Sequence, residues 1–182
     1  MKSSRFLCLS LAVGLLISFG ASSSWASGAD TVFSVGYYNL QGFPGGTSDN
    51  TLRIVNPGTS ASSLCANIYV FDANQKMLSC CSCSVSVNGS LTLSVTNNLL
   101  PASSAVKTGV IEVVSSFSIP CSTTVFNPIP ELDGWLSHWV GSSTLAEQQL
   151  EVADLSVDEG PLLVDECSVA HECRCGGSAN PA

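Results

Sequence analysis

Cysteine is the residue type with the widest chemistry in this sequence, and it is abundant. The chain of 182 residues has nine cysteines. Cys8 lies in an N-terminal apolar run, and the others lie downstream of it: Cys65, Cys80, Cys81, Cys83, Cys121, Cys167, Cys173 and Cys175. Oxidised cysteines form disulfides, whereas reduced thiolates bind soft metal ions. The even number of downstream cysteines favours a disulfide framework, and the sequence does not choose among the possible pairings.

The densest cysteine cluster is Cys80-Cys81-Ser82-Cys83. Successive side chains of a β-strand point to opposite faces of the sheet. If this segment is a strand, Cys80 and Cys81 must pair with different partners, whereas Cys81 and Cys83 share a face. We therefore expect disulfides that join the C-terminal part of the chain to the sheet.

A metal site is the alternative use of these side chains. Cys167, His171, Cys173 and Cys175 lie within nine residues of one another. Thiolate and imidazole ligands suit zinc or copper, and the first cysteine cluster could add ligands. Because an oxidising compartment favours disulfides, the leading prediction includes no cofactor.

Catalytic chemistry has little support in the sequence. A catalytic histidine needs a nucleophile and an orienting acid near it in space, and no serine lies in a G-x-S-x-G motif. We predict a structural role for His138 and a protein that is not an enzyme. The tryptophans on either side of it, Trp135 and Trp139, offer a second alternative, a carbohydrate-binding surface.

The first 26 residues have the features of a secretory signal peptide. Lys2 and Arg5 precede an apolar stretch at 6–19, and Ser24-Trp25-Ala26 fits the small-x-small cleavage rule. The stretch is shorter than the roughly 20 apolar residues of a membrane-spanning helix, and no later segment is long enough. We predict a secreted, extracellular or periplasmic protein with no membrane span after cleavage.

Charge is unevenly distributed along the chain. Six basic and 14 acidic residues give a net charge of −8, which argues against a nucleic-acid partner. From Glu131 onward there are ten acidic residues and one basic residue, Arg174. We divide the chain into a signal peptide (1–26), a β-sandwich domain (27–130), an acidic cysteine-containing part packed on it (131–175) and a disordered tail (176–182).

The body of the chain has the alternation and turn chemistry of β-structure. In 63–71, Leu64, Ala66, Ile68 and Val70 face one way, and Cys65, Asn67, Tyr69 and Phe71 face the other. Asn88-Gly89 predicts a type I′ hairpin turn. The strands expected on these grounds are 31–40, 51–55, 63–71, 84–87, 90–95, 109–115, 123–126 and 135–140. The fold class is mainly β, an antiparallel β-sandwich with a short, disulfide-held C-terminal segment that is helical or irregular.

Two C-terminal segments have helix-start signals. Thr144-x-x-Glu147 matches a capping box, although the same residues could form a strand. Asp158-Glu159-Gly160-Pro161 can begin a helix that runs towards Cys167, since proline is tolerated in the first turn.

Several stretches resemble a group of small, secreted, cysteine-rich bacterial proteins. They are the segments RIVNPG at 53–58, LCANIYVFD at 64–72, CCSC at 80–83 and the Cys-x-Cys of Cys173 and Cys175. The resemblance covers most of the chain beyond residue 26. It implies an exported bacterial β domain and implies no activity, ligand or catalytic residue.

The sequence thus favours a secreted, disulfide-stabilised, non-enzymatic structural or surface-interaction protein. Its expected partners are other envelope or extracellular proteins, or further copies of the same chain, since the edges of an open sheet can add strands.

Overall fold

The computed structural model describes residues 32–41, 49–117, 120–124, 127–140, 144–156 and 158–176. Over these residues the chain forms ten strands, one α-helix and one π-helical turn. The strands are β1 (Val32–Asn39), β2 (Thr51–Val55), β3 (Leu64–Asp72), β4 (Met77–Val85), β5 (Ser90–Ser94), β6 (Thr108–Ser116), β7 (Asp133–Val140), β8 (Thr144–Gln149), β9 (Glu151–Asp154) and β10 (His171–Glu172). The helix is α1 (Glu159–Cys167), and the π-helical turn covers Val95–Leu99. The expected signal peptide and residues 177–182 of the expected tail lie outside the described residues.

The strands belong to two sheets, which confirms the prediction of a mainly β fold. One sheet has the order β10-β4-β3-β6-β1-β9 and the other has the order β5-β2-β7-β8. Neighbouring strands are antiparallel except β10, which runs parallel to β4. Residues after 130 contribute strands to both sheets. The described helix is not long and apolar enough to cross a membrane.

The main core lies between the two sheets, and the alternation of β3 explains how it forms. Ala66, Ile68 and Val70 point into this core, where residues such as Leu52 and Leu136 meet them from the other sheet. Burial of these side chains is the main stabilising contribution to such a sandwich.

The opposite face of the six-stranded sheet carries a second, smaller core. Tyr69, Met77 and Val114 pack there against Leu163 of helix α1. Helix α1 begins where the sequence predicts, with Pro161 in its first turn. The helix therefore covers the outer face of this sheet.

The predicted hairpin at Asn88-Gly89 is wrong. Strand β4 ends at Val85 in one sheet and β5 begins at Ser90 in the other, so the two strands do not pair. Asn88 has a positive φ of 53° but Gly89 does not, whereas a type I′ turn needs a positive φ at both positions. Instead, Gly89 N–H donates to Ser86 O at 2.8 Å as the chain crosses between sheets. Val87, which the predicted strand 84–87 includes, lies outside β4 and is exposed.

Other boundaries also differ from the prediction. Thr123 and Thr124, expected to begin a strand, form a turn, and residues 125–126 lie outside the described chain. The capping-box segment is the strand β8 and not a helix. Strand β4 begins at Met77, well before the predicted start at residue 84. Residues 77–83 are apolar at five of seven positions, so they lack the regular apolar–polar alternation by which a half-buried strand is recognised.

Candidate functional site

The structure pairs the eight downstream cysteines into four disulfides. They are Cys65–Cys121, Cys80–Cys167, Cys81–Cys173 and Cys83–Cys175, with Cα–Cα separations of 5.5, 5.7, 5.2 and 5.4 Å. These separations lie in the ordinary range for disulfides. Three of the four bridges join β4 to the segment 167–175, and we call these three bridges the C-terminal brace.

The alternation of β4 decides which cysteine joins which partner. Cys80 lies on the outer face with the small core, and its partner Cys167 ends helix α1. Cys81 and Cys83 lie on the inner face with the main core, and their partners follow β10. Each face of one strand is therefore tied to a different part of the C-terminal segment.

Backbone hydrogen bonds hold the same segment without the sulfur atoms. Strand β10 pairs in parallel with β4, with His171 opposite Ser79 and Glu172 opposite Cys80. Beyond it, Cys173 N–H donates to Cys80 O at 3.0 Å and Arg174 N–H donates to Asn98 O at 2.8 Å. The disulfides thus reinforce a segment that already pairs with the sheet.

The structure does not bring the four proposed metal ligands together. The sulfur of Cys167 is bonded on the outer face and that of Cys173 on the inner face, while His171 is exposed on β10. Among the described residues, the group with sulfur atoms within 4.8 Å of one another is Cys81, Cys83 and Cys175. All three are in disulfides, and a disulfide sulfur offers no thiolate to a metal.

Trp135 lies at the centre of an exposed, polar surface on the four-stranded sheet. It points away from the main core, because the next residue, Leu136, points into it. Arg53 and Gln149 lie directly opposite Trp135 on the two neighbouring strands. Arg53 Nη1 also lies 3.1 Å from Glu147 Oε1. We call Arg53, Thr92, Trp135, Glu147 and Gln149 the open face; all except half-buried Trp135 are exposed.

Trp139 does not extend this surface into a continuous aromatic platform. It lies four residues further along β7, which corresponds to about 13 Å, and buried Ser137 lies between the two tryptophans. Ser137 Oγ accepts a hydrogen bond from Thr51 N–H at 2.7 Å. Trp139 lies instead opposite Leu145, which is 53% exposed.

His138 lies on the other face of β7 from Trp135 and Trp139. It is half-buried and lines a cleft with Tyr37, Leu136 and Gln148. Among the described residues that line this cleft, the acid is Glu151, and there is no serine or cysteine.

An acidic cleft that the sequence did not reveal lies between helix α1 and the six-stranded sheet. Glu112 of β6 meets Glu159 and Glu166 of the helix there. Burial, followed by the charges of Glu159 and Glu166, raises the pKa of Glu112 to about 7. Burial, followed by the charge of Glu112, raises the pKa of Tyr69 to about 12. The one available sequence signal is a glutamate in the otherwise apolar run 109–114.

Comparisons with known proteins add little to this picture. Neither a family model nor a curated protein matches the chain. Among solved structures, the crystal structure of Thermotoga maritima 1070 is similar, with 20% sequence identity and a TM-score of 0.46. The similarity covers 71% of this chain and 98% of that one. A likeness this distant assigns neither a family nor a function.

Proposed function

We propose that this protein is an exported, disulfide-stabilised, non-enzymatic structural or surface-interaction protein. The observation that carries the proposal is that all eight cysteines beyond the predicted signal peptide are in disulfides. Disulfides form and persist in oxidising compartments. The proposed location is therefore extracellular or periplasmic, as the resemblance to secreted cysteine-rich bacterial proteins also implies.

The proposed interaction surface is the open face together with the edge strand β8. Strand β8 ends its sheet, so within the described part of the chain one side of its backbone has no neighbouring strand. Such an edge can add a strand from a partner. Exposed Val140 and Leu145 lie beside this edge, which would favour a partner with apolar side chains, either another extracytoplasmic protein or a second copy.

Export and oxidation are tested together by expressing the full-length chain in a bacterial host. We expect the product in the extracytoplasmic fraction, with an N-terminus at Ser27 and with resistance to proteases. Adding a reductant should remove that resistance, because the C-terminal brace would open. A full-length product that stays in the cytoplasm with reduced thiols would contradict the proposal.

Carbohydrate binding is a second candidate, and the surroundings of Trp135 favour it. The indole can stack on the apolar face of a sugar ring, while Arg53, Glu147 and Gln149 can hydrogen-bond its hydroxyls. If so, a glycan array should show binding that Trp135→Ala removes and that Trp139→Ala, outside the open face, retains. An array without bound glycans would eliminate this candidate and leave the structural role.

A further inference from the structure

Two Cys-x-Cys pairs lie opposite each other in this fold. Cys81 and Cys83 are on β4, and Cys173 and Cys175 directly follow β10. The parallel register of β10 with β4 continues past Glu172, which is opposite Cys80. In each pair, the spacing of two residues directs both side chains to the same face. Four sulfur atoms therefore collect at one place on the inner face of the sheet.

The sulfur atoms of Cys81 and Cys83, which are not bonded to each other, have the spacing of two ligands of a four-thiolate metal centre. A tetrahedral zinc ion with Zn–S bonds of about 2.3 Å separates its sulfur ligands by roughly 3.8 Å. The sulfurs of Cys81 and Cys83 are 3.8 Å apart, and those of Cys81, Cys83 and Cys175 lie within 4.8 Å of one another. The fourth sulfur, of Cys173, is bonded to that of Cys81.

We propose that the reduced chain binds one zinc ion through Cys81, Cys83, Cys173 and Cys175, and that disulfide formation releases it. Each disulfide takes two electrons and two protons from a dithiol reductant to become two thiols, and the reductant becomes a disulfide. Zinc binding then releases the four thiol protons. Oxidation by two disulfide oxidants reverses the process: four electrons leave the thiolates, two disulfides form and zinc dissociates.

Backbone hydrogen bonds hold the two Cys-x-Cys pairs beside each other whether or not their disulfides are formed. The hydrogen bonds from Cys173 N–H to Cys80 O and from Arg174 N–H to Asn98 O involve no sulfur. Cys175 is exposed, so a reductant can attack its bridge to Cys83. Arg174, between two of the ligands, offsets part of the negative charge that four thiolates would bring.

The other four downstream cysteines are not ligands of the proposed zinc site, because of where they lie in the fold. Cys80 and Cys167 pack in the small core on the outer face of the sheet. Cys65 is also on that face and pairs with Cys121. These residues supply matched control variants, because they carry the same chemistry outside the four-sulfur cluster.

The test uses cobalt(II) as a spectroscopic probe for the zinc site. The purified protein is reduced with a phosphine, freed of reductant without oxygen and titrated with cobalt. We expect one cobalt per chain, with the visible bands of a tetrahedral thiolate centre and displacement by zinc. Because each is a direct ligand, Cys83→Ser and Cys175→Ser should weaken binding by more than the roughly 10–100-fold that loss of a residue behind a ligand costs, whereas Cys65→Ser/Cys121→Ser should leave it unchanged. The oxidised protein should bind none.

Of the eight downstream cysteines, a chain in which Cys65, Cys121, Cys80 and Cys167 are all serine keeps only the four proposed ligands. This variant should still bind one cobalt, and zinc should restore its β-sheet circular dichroism if reduction has unfolded it. The proposal is overturned if this chain binds no metal, or if the Cys65→Ser/Cys121→Ser control loses as much affinity as Cys83→Ser. Neither result would affect the proposed role of the oxidised, exported protein.

Discussion

At the scale of single residues, the carboxyl group of Glu112 should make the stability of this fold depend on pH. It lies between Ile111 and Val113 in β6, and burial together with Glu159 and Glu166 raises its pKa to about 7. A carboxyl group with a raised pKa in the folded state binds its proton more tightly there than in the unfolded chain. Its contribution to stability is therefore full below about pH 4.5 and is lost as the pH rises through about 7.

This argument predicts a pH dependence that one substitution removes. The free energy of unfolding of the native protein should fall between pH 5 and pH 8, by about 1–2 kcal/mol after allowance for the partial exposure of Glu112. Glu112→Gln should flatten the dependence, since glutamine does not ionise, whereas Glu151→Gln at an exposed position should not. Urea unfolding at both pH values measures the effect. An unchanged slope in Glu112→Gln would refute the assignment.

At the scale of elements, the three bridges of the C-terminal brace do not restrict the unfolded chain independently of one another. Cys81–Cys173 and Cys83–Cys175 each span 92 residues. Once the first has formed, the second closes a loop of only a few residues, and short loops have little conformational entropy to lose. Cys65–Cys121, in contrast, closes its own loop of 56 residues.

We therefore expect an order of stabilities among paired alanine variants. Loss of the Cys83–Cys175 bridge should lower the free energy of unfolding by roughly 2 kcal/mol, and loss of Cys65–Cys121 by roughly 4 kcal/mol, on the loop-entropy account. The variants are Cys83→Ala/Cys175→Ala and Cys65→Ala/Cys121→Ala, compared by urea unfolding under oxidising conditions. Equal losses, or the reverse order, would show that native-state contacts outweigh loop entropy.

The elements also show what the sequence could predict. Strands such as β2, β3 and β7 follow from local alternation, since a strand with one buried face leaves that pattern in its own residues. Sheet membership is not local: Asn88-Gly89 is compatible with a hairpin, but Val85 and Leu93 enter the same core from opposite sheets. Strand β10 has two residues and no pattern, so its position and the pairing of Cys173 and Cys175 required the tertiary structure.

At the scale of the whole molecule, the fold is a sandwich in which three disulfides fix the segment 167–175 to the strand β4. Helix α1 contributes few buried side chains, with Leu163 and Cys167 inside and Leu162 exposed. The bond from Cys167 to Cys80 adds a covalent link between this helix and the sheet. A protein stabilised in this way suits a compartment that holds proteases and oxidants.

The central claim is that cysteine serves this protein as permanent cross-links once it has been exported. Titration of free thiols in the exported protein, denatured without a reductant, tests the claim most directly. We predict close to zero thiols per chain and a full set of eight after reduction. Four or more free thiols before reduction, with zinc or copper bound in stoichiometric amount, would contradict it.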